Sequence, residues 1–268
     1  QAGIAIHAWP GMQLVRQLPT EQVGVHAIAF SPGGTRFAVA GGVPGEQGIV
    51  ELFSWPDLDL EARIREHDDT IQTIAWRDDE TFATGSLDHE IAIWKRGDPK
   101  PRLRLSGHSK GVTTVEFLSD GKQLLSGSID QNVRLWDVES GELVRTLNNH
   151  TRPIHGSRQR PNAGGLPMVA TVSDDRTVRL WQPTIGRMVR FCRLDQIPLA
   201  VSWLGDGSRL IVACSDGSIR SIDPNTARVT QVQAAFPGWV YTLETHPTDG
   251  SVVMGGRDGE LKQLSFDE

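Results

Sequence analysis

The sequence predicts an all-β fold that repeats a unit of four short strands, and two observations support this prediction. Short runs of alternating apolar residues are separated by turns that contain Gly and Pro, and we find no segment with helical periodicity. In addition, a His, a Ser-x-Asp group and a Trp six residues after the Asp occur together three times, at intervals of 41 to 45 residues. A fixed period of this length is typical of a repeat architecture.

The three copies have the same spacing from Ser to Asp and from Asp to Trp. They comprise His67, Ser86, Asp88 and Trp94 in the first copy, His108, Ser128, Asp130 and Trp136 in the second, and His150, Ser173, Asp175 and Trp181 in the third.

The second copy shows the four strands of one unit most clearly. Strand a is predicted at 112–117, strand b at 122–127, strand c at 132–137 and strand d at 142–147, and Asp130 lies in the turn between b and c. One sheet of four strands cannot bury both of its faces, so like units must pack against each other.

The residues of this copy resemble those of the WD40 β-propeller family. The chain has Gly107-His108 before strand a and Trp136-Asp137 in strand c, at the period of that family. The resemblance implies a ring of four-stranded blades. It also implies that the Asp accepts a hydrogen bond from the His, that the His bonds to the Ser, and that the Ser bonds to the Trp indole N–H. Each buried polar group would then have a partner.

The Trp position of strand c can be followed through the whole chain. It predicts seven c strands, at His7, Phe53, Trp94, Trp136, Trp181, Ile222 and Leu264. With six strands of each other type, the predicted total is 25 strands. We therefore predict a seven-bladed design with an incomplete first blade. The alternative is a six-bladed closed ring in which residues 11–18 form the closing strand.

The chain is predicted to be a single domain over residues 1–268. Its predicted parts are a partial first blade at 1–20, full blades at 21–66, 67–107, 108–149, 150–194 and 195–237, and a three-stranded last blade at 238–268. The first residue is Gln1 rather than Met. This suggests that the rest of a larger polypeptide completes the first blade.

The combination of Ser, His and Asp also occurs in hydrolase triads. A triad acts once, beside an oxyanion hole, whereas this set occurs three times, each time with a Trp at the same distance from the Asp. The chain also has no Gly-x-Ser-x-Gly turn. The pattern therefore favours a structural hydrogen-bond network, and we predict no catalytic residues and no enzyme activity.

Candidate partner-binding residues are expected in the loops that carry the His and the Asp, because that face commonly binds peptides in the family that the chain resembles. These residues precede or begin strand a (Asp69, Lys110, Arg152 and Trp239), lie within it (Arg158) or lie in a b–c turn (Arg176). Trp239 offers the largest rigid contact area. The expected function is a non-catalytic scaffold or sensor that binds a protein or peptide partner on the top face of the propeller. The alternative is a propeller enzyme or small-ligand-binding domain with a site at the central channel.

Composition narrows the class of partner. A net charge of −6 argues against nucleic-acid binding, which requires a concentrated basic face. The apolar runs are too short to span a bilayer, so no membrane partner is expected. No phosphate loop, zinc, calcium or haem motif occurs, so no cofactor or metal is expected. No signal peptide is recognisable, and the two cysteines, both in predicted strands, give no disulfide framework. Together these favour a cytoplasmic location.

Overall fold

The computed structural model describes residues 3–161, 164–257 and 259–266, and their regular secondary structure is almost entirely β. Within these residues, the only helical segment is a single 3-10 turn at Pro183–Ile185. No helix in the described ranges is long and apolar enough to cross a membrane. The all-β prediction is confirmed.

The chain forms two compact units, residues 1–107 and residues 108–268. The strands of the first unit are β1 (Gly3–Ala8), β2 (Gln13–Pro19), β3 (Gly24–Phe30), β4 (Arg36–Val43), β5 (Gln47–Ser54), β6 (Leu60–His67), β7 (Ile71–Trp76), β8 (Thr81–Ser86), β9 (Ile91–Lys95) and β10 (Leu103–Leu105).

The strands of the second unit are β11 (Val112–Phe117), β12 (Gln123–Ser128), β13 (Val133–Asp137), β14 (Leu143–Leu147), β15 (Ile154–Gln159), β16 (Val169–Ser173), β17 (Thr177–Gln182), β18 (Arg187–Arg193), β19 (Pro198–Trp203), β20 (Leu210–Cys214), β21 (Ser218–Asp223), β22 (Arg228–Ala234), β23 (Val240–Thr245), β24 (Ser251–Gly256) and β25 (Leu261–Ser265). The described residues thus contain 25 strands, which is the predicted number.

Six sheets have the form of propeller blades, because each strand pairs antiparallel with the next strand along the chain. The first unit holds blade 1 (β3–β6) and blade 2 (β7–β10), and the second holds blade 3 (β11–β14), blade 4 (β15–β18), blade 5 (β19–β22) and the three-stranded blade 6 (β23–β25). In all six, a β-bulge interrupts the a–b pairing near the start of strand a, as between Ile71 and Thr73. The register is therefore repeated along with the sequence.

The blade count is six, as in the alternative, and the prediction of seven blades is wrong. The strands taken as remnants of a first blade, β1 and β2, form a separate two-stranded sheet. Its residues Ile4 and Leu18 pack with Phe37 and Phe53 of blade 1. Strand β2 pairs with β1 and does not complete a blade, so the closing role that the alternative gave to residues 11–18 is not observed. The alternation of residues around His7 is that of any strand, and it cannot distinguish a hairpin from part of a blade.

The apolar core lies between neighbouring blades within each unit. In the first unit, Val50 and Leu52 of blade 1 pack with Ile71, Phe82 and Trp94 of blade 2. In the second unit, similar clusters join blades 3 and 4, blades 4 and 5, and blades 5 and 6. Strands b and c are therefore buried, while strand d is mostly exposed. Both cysteines, Cys192 and Cys214, lie unpaired and buried in strands.

Two tryptophans at the end of strand a also join neighbouring blades. The indole Nε1 of Trp76 donates to the Ala29 carbonyl at 3.0 Å, and that of Trp203 donates to the Arg158 carbonyl at 2.9 Å. Both bonds connect strand a of one blade to strand a of the blade before it. The search for Trp in strand c did not reveal this second role for Trp.

Replacing Gly205 with Ala should destabilise the second unit. The added methyl group would collide with the backbone carbonyl of Pro247, which cannot move without shifting the loop after β23. We expect a loss of about 1–3 kcal/mol in the free energy of unfolding, measured by urea denaturation. Gly164→Ala is the control, because its methyl group would meet no atom within 4 Å. Equal midpoints for the two variants would contradict this account.

Candidate functional site

Three blades tie the loop before strand a (the d–a loop) to the turn between strands b and c (the b–c turn) through a His–Asp pair. The Nδ1–Oδ2 distances are 2.7 Å for His67–Asp88, 2.9 Å for His108–Asp130 and 2.8 Å for His150–Asp175. The same carboxylate oxygen accepts the backbone N–H of the residue after each His, at 3.0–3.2 Å. Two hydrogen bonds per blade thus hold the loop against the turn.

The other ring nitrogen of each His does not meet the predicted Ser. Nε2 lies 2.7–2.8 Å from a hydroxyl two residues earlier in strand b, that of Thr84, Ser126 or Thr171. The Trp indole N–H donates to the same hydroxyl at 2.8–2.9 Å. The prediction that Ser links His to Trp is therefore wrong. Residues two apart in a strand share a face, so the pattern identified the face but not the position along it.

The predicted serines instead bind the d–a loop. Ser86 Oγ donates to the carbonyl of Asp69 or Thr70, Ser128 Oγ to that of Lys110 or Gly111, and Ser173 Oγ to that of Arg152, at 2.8–3.1 Å. Each Oγ also accepts the backbone N–H of its Asp at 3.0–3.1 Å. These serines therefore form a second connection between the loop and the turn.

The bonds of the network run in one direction. The indole can only donate, so the hydroxyl accepts from Trp, and it donates its own proton to His Nε2 when that nitrogen carries no proton, with Nδ1–H donating to the Asp. This requires a neutral His. Burial lowers the pKa of His150 despite the opposing effect of Asp175, so the ring favours the neutral form. Burial opposes ionisation of Asp130, but hydrogen bonds from the His108 side chain and the Asn132 backbone hold the pKa of Asp130 well below its usual range.

Blade 5 fills three positions of the network with apolar residues and keeps an aspartate, Asp216, which accepts hydrogen bonds from Ser218 and lies 3.4 Å from Arg220. Leu194, Val212 and Ile222 occupy the places of His150, Thr171 and Trp181, and all three are buried. Apolar packing therefore takes the place of the His–hydroxyl–Trp bonds in this blade.

Blade 1 also lacks the Trp, but it has a polar network of its own. Its strand c carries a buried carboxylate, Glu51, which accepts two hydrogen bonds from Arg63 at 2.9 and 3.1 Å and one from Gln22 at 3.3 Å. The polar network of this blade thus uses a different set of residues, which the search for a Trp could not detect.

One backbone position in the b–c turn is left-handed in five blades. Its φ is 76° at His89, 75° at Gln131 and 60° at Arg176, whereas blades 5 and 6 have Gly217 at 84° and Gly259 at 75°. A non-Gly residue in this region is uncommon. Blades 2, 3 and 4 therefore keep a side chain at a position where the backbone favours glycine.

A pocket of about 800 Å³ opens between these loops in the second unit. It is lined by Thr151, Arg152, Pro153, Asp174, Asp175, Arg176, Arg193, Ile197 and Trp239. Three of the predicted partner-binding residues, Arg152, Arg176 and Trp239, are therefore brought together. Pro153, Ile197 and Trp239 each directly precede strand a of blades 4, 5 and 6. Repeating that position through the sequence would have found Ile197, whereas no signal pointed to Arg193.

The other three predicted residues lie outside this lining. Asp69 belongs to the first unit, where its carboxylate accepts the backbone N–H of Gly45 at 2.9 Å. Lys110 is exposed in the d–a loop of blade 3. Arg158 forms an ion pair with Glu244. The guanidinium carbon of neighbouring Arg160 lies 5.6 Å from the centroid of the Trp203 ring.

The acidic residues of the pocket already have partners. Asp174 Oδ1 lies 2.6 Å from His155 Nε2, and Asp175 bonds to His150 and lies 3.6 Å from the guanidinium of Arg179. Burial opposes ionisation of Asp175, but hydrogen bonds from His150 and Thr177 keep the pKa of Asp175 far below its usual range. The site can therefore offer cations and an aromatic face to a ligand. The described residues contain no group of three or more His, Cys, Asp or Glu that could hold a metal ion.

Two family models match parts of the chain. The model described as "WD domain, G-beta repeat" matches residues 99–137 and 141–182. The model described as "DDB1- and CUL4-associated factor 12 beta propeller" matches residues 10–102.

Curated relatives match over partial lengths. Protein tipD of Dictyostelium discoideum is 28% identical over 69% of this chain and 30% of its own length. Coatomer subunit beta'-2 of Arabidopsis thaliana is 39% identical over 29% of this chain and 9% of its own length. Eukaryotic translation initiation factor 3 subunit I of Aspergillus oryzae is 28% identical over 60% of this chain and 51% of its own length. The chain thus spans about half or less of these relatives.

Removing the hydroxyl that joins His108 and Trp136 should cost more than removing the predicted serine. Ser126→Ala leaves two buried groups, the Trp136 N–H and His108 Nε2, without their partner, and we expect a loss of about 1–3 kcal/mol. Ser128→Ala should cost less, because the Gly111 carbonyl still accepts the N–H of Ile129. The free energies of unfolding come from urea denaturation. A larger loss for Ser128→Ala would contradict the corrected network.

The stability of the second unit should fall as the pH drops below about 6.5, the unfolded pKa of His. The pKa of His150 is lower in the folded state than in the unfolded state. The contribution of His150 to the free energy of unfolding is therefore fully present above the unfolded pKa and is lost as the pH falls toward the folded pKa. Asp130 and Asp175 also have lowered pKa values in the folded state, so their contribution to the free energy of unfolding is lost only below about pH 4.

Urea denaturation at pH 7.5, 6.0 and 5.0 measures this effect. The control copies blade 5 into blade 4 with His150→Leu, Thr171→Val and Trp181→Ile, and its stability should change less over this range. An equal slope for the two proteins would refute the assignment to His150.

Proposed function

This chain is a WD40-repeat β-propeller, and we propose that it is a non-catalytic interaction module that binds a protein or peptide partner through the d–a loops and b–c turns of its second unit. The observation that carries this proposal is the pocket of about 800 Å³, which brings together loop residues from blades 4, 5 and 6. A volume of this size accommodates a few side chains of a partner.

The exposed tryptophan of this pocket supports protein recognition. Trp239 is 46% exposed, and its ring packs against that of Tyr241 with centroids 5.7 Å apart. A large aromatic side chain that is already held in place loses little entropy on binding and gains a large contact area.

The geometry of the Ser, His and Asp residues favours a non-catalytic role. A nucleophilic Ser must donate to its His, but Ser86, Ser128 and Ser173 donate to backbone carbonyls. The hydroxyls that do meet the His rings are also bound by buried Trp side chains. No hydroxyl of the network is therefore positioned to attack a substrate.

The alternative of a site at the central channel has less support. The a strands of the second unit carry Glu116, Arg158 and Glu244, but Arg158 and Glu244 pair with each other. One oxygen of Glu116 accepts the backbone N–H of Gln159 at 2.7 Å. Each of these three side chains thus has a partner within the chain, although Glu116 Oε2 and Arg158 Nε are buried without a hydrogen-bond partner among the described residues.

Peptide selection from a phage-displayed library, followed by fluorescence anisotropy with the selected peptides, tests the proposal. Trp239→Ala should weaken binding by about tenfold or more, because an aromatic contact at the centre of a site is lost. Trp9→Ala is the matched control, since Trp9 is similarly exposed, at 39%, and lies in the first unit. Retention of full affinity by Trp239→Ala, or an equal loss in both variants, would refute the placement of the site.

A further inference from the structure

The pocket carries three arginines that no carboxylate neutralises. Arg152, Arg176 and Arg193 are exposed, and within the described part of the chain none of them lies within 4.0 Å of an Asp or Glu oxygen. The two aspartates of the lining are bound by His150 and His155. The lining therefore has one more positive than negative charge, in a chain whose net charge is −6.

Backbone hydrogen bonds hold two of these arginines in place. Ser173 Oγ donates to the Arg152 carbonyl at 3.0 Å, and the carbonyl of Ser173 accepts the Arg176 N–H at 3.0 Å. The two residues are on different loops, and Ser173 binds both. The main chain at both residues is therefore fixed before any ligand arrives, so binding does not have to order these loops.

The third arginine is tied to the same turn. Arg193 is paired with Thr177 in the sheet, and the next residue, Leu194, donates its N–H to the Arg176 carbonyl at 2.8 Å. The main chains of the three arginines are thus joined within one hydrogen-bonded frame.

The fold does not require these arginines, as blade 5 demonstrates. Blade 5 repeats two of these backbone bonds, from Gly217 N–H to the Cys214 carbonyl and from Ala235 N–H to the Gly217 carbonyl. It has Gln196, Gly217 and Ala234 at the places of the three arginines. Arg176 also occupies a left-handed position, at φ 60°, where blade 5 has glycine. Blades 2 and 3 also keep a non-glycine residue at this position, His89 and Gln131, so the cation at Arg176 is what distinguishes blade 4 from blade 5.

We propose that this pocket selects an acidic peptide segment: a partner Asp or Glu carboxylate binds Arg152, Arg176 and Arg193, and an adjacent apolar side chain lies against Trp239 and Ile197. The inference rests on the proposed function of the same pocket. Guanidinium groups form paired hydrogen bonds with carboxylates. The single excess positive charge matches one carboxylate, and Asp174 disfavours a phosphate dianion.

A positional-scanning peptide library tests this specificity. In each sublibrary one position of the peptide holds a fixed residue and all other positions are randomised, and phosphoserine is among the fixed residues. Binding of each sublibrary to the whole chain is measured by fluorescence. Asp and Glu sublibraries should bind about tenfold more strongly than Asn and Gln sublibraries. This preference for acidic residues should vanish in the double variant Arg152→Gln, Arg176→Gly, which has the residues of blade 5 at these two places. The thermal denaturation of the double variant should match that of the parent chain.

Arg190→Gln is the matched control, because Arg190 is exposed on β18 outside the pocket, and it should keep the full preference. Equal binding of acidic and amide sublibraries, or no binding at all, would overturn the inference, and so would a stronger phosphoserine signal. Binding that depends on Trp239 but not on acidic residues would leave the proposed function standing and refute only this inference. Binding independent of both would refute the two together.

Discussion

The connection between the d–a loop and the b–c turn is the interaction on which the candidate site depends. In blade 4, His150, Ser173 and Asp175 make this connection through side-chain and backbone hydrogen bonds. The connection buries a neutral His and an ionised Asp, and each has a partner. Because Arg152 and Arg176 lie on the two connected segments, the bonds that stabilise the blade also position the cations of the pocket.

The blades differ in how they fill the space under these loops. Blades 2, 3 and 4 use a full His, Asp, hydroxyl and Trp network, whereas blade 5 has apolar residues at the His, hydroxyl and Trp positions. A partial network would leave a buried donor or acceptor unpaired, which costs more than having no network. Blade 1 satisfies its buried Glu51 with Arg63 and Gln22 instead.

The pocket arises from repetition followed by local change. One position, the residue before strand a, supplies Pro153, Ile197 and Trp239 from successive blades, so the repeat itself builds an apolar wall. The cations come from blade 4 alone, at positions where blade 5 has uncharged side chains or glycine. Architecture is therefore shared among the blades, and chemical character belongs to one of them.

The sequence by itself determined the strands and their period, and its resemblance to a known family implied the His–Asp pairs. It placed Arg152, Arg176 and Trp239 among six candidates, because these residues lie at or near equivalent positions of the repeat, but it did not single out the three that line the pocket. The tertiary structure decided the rest. It placed Thr84, Ser126 and Thr171 in the network, since alternation identifies a face but not the position along it. It paired β1 with β2 in a separate sheet, since periodicity does not specify a strand's partner. It also brought Arg193 beside Arg176, because hydrogen bonds between strand ends, rather than any motif, set that proximity.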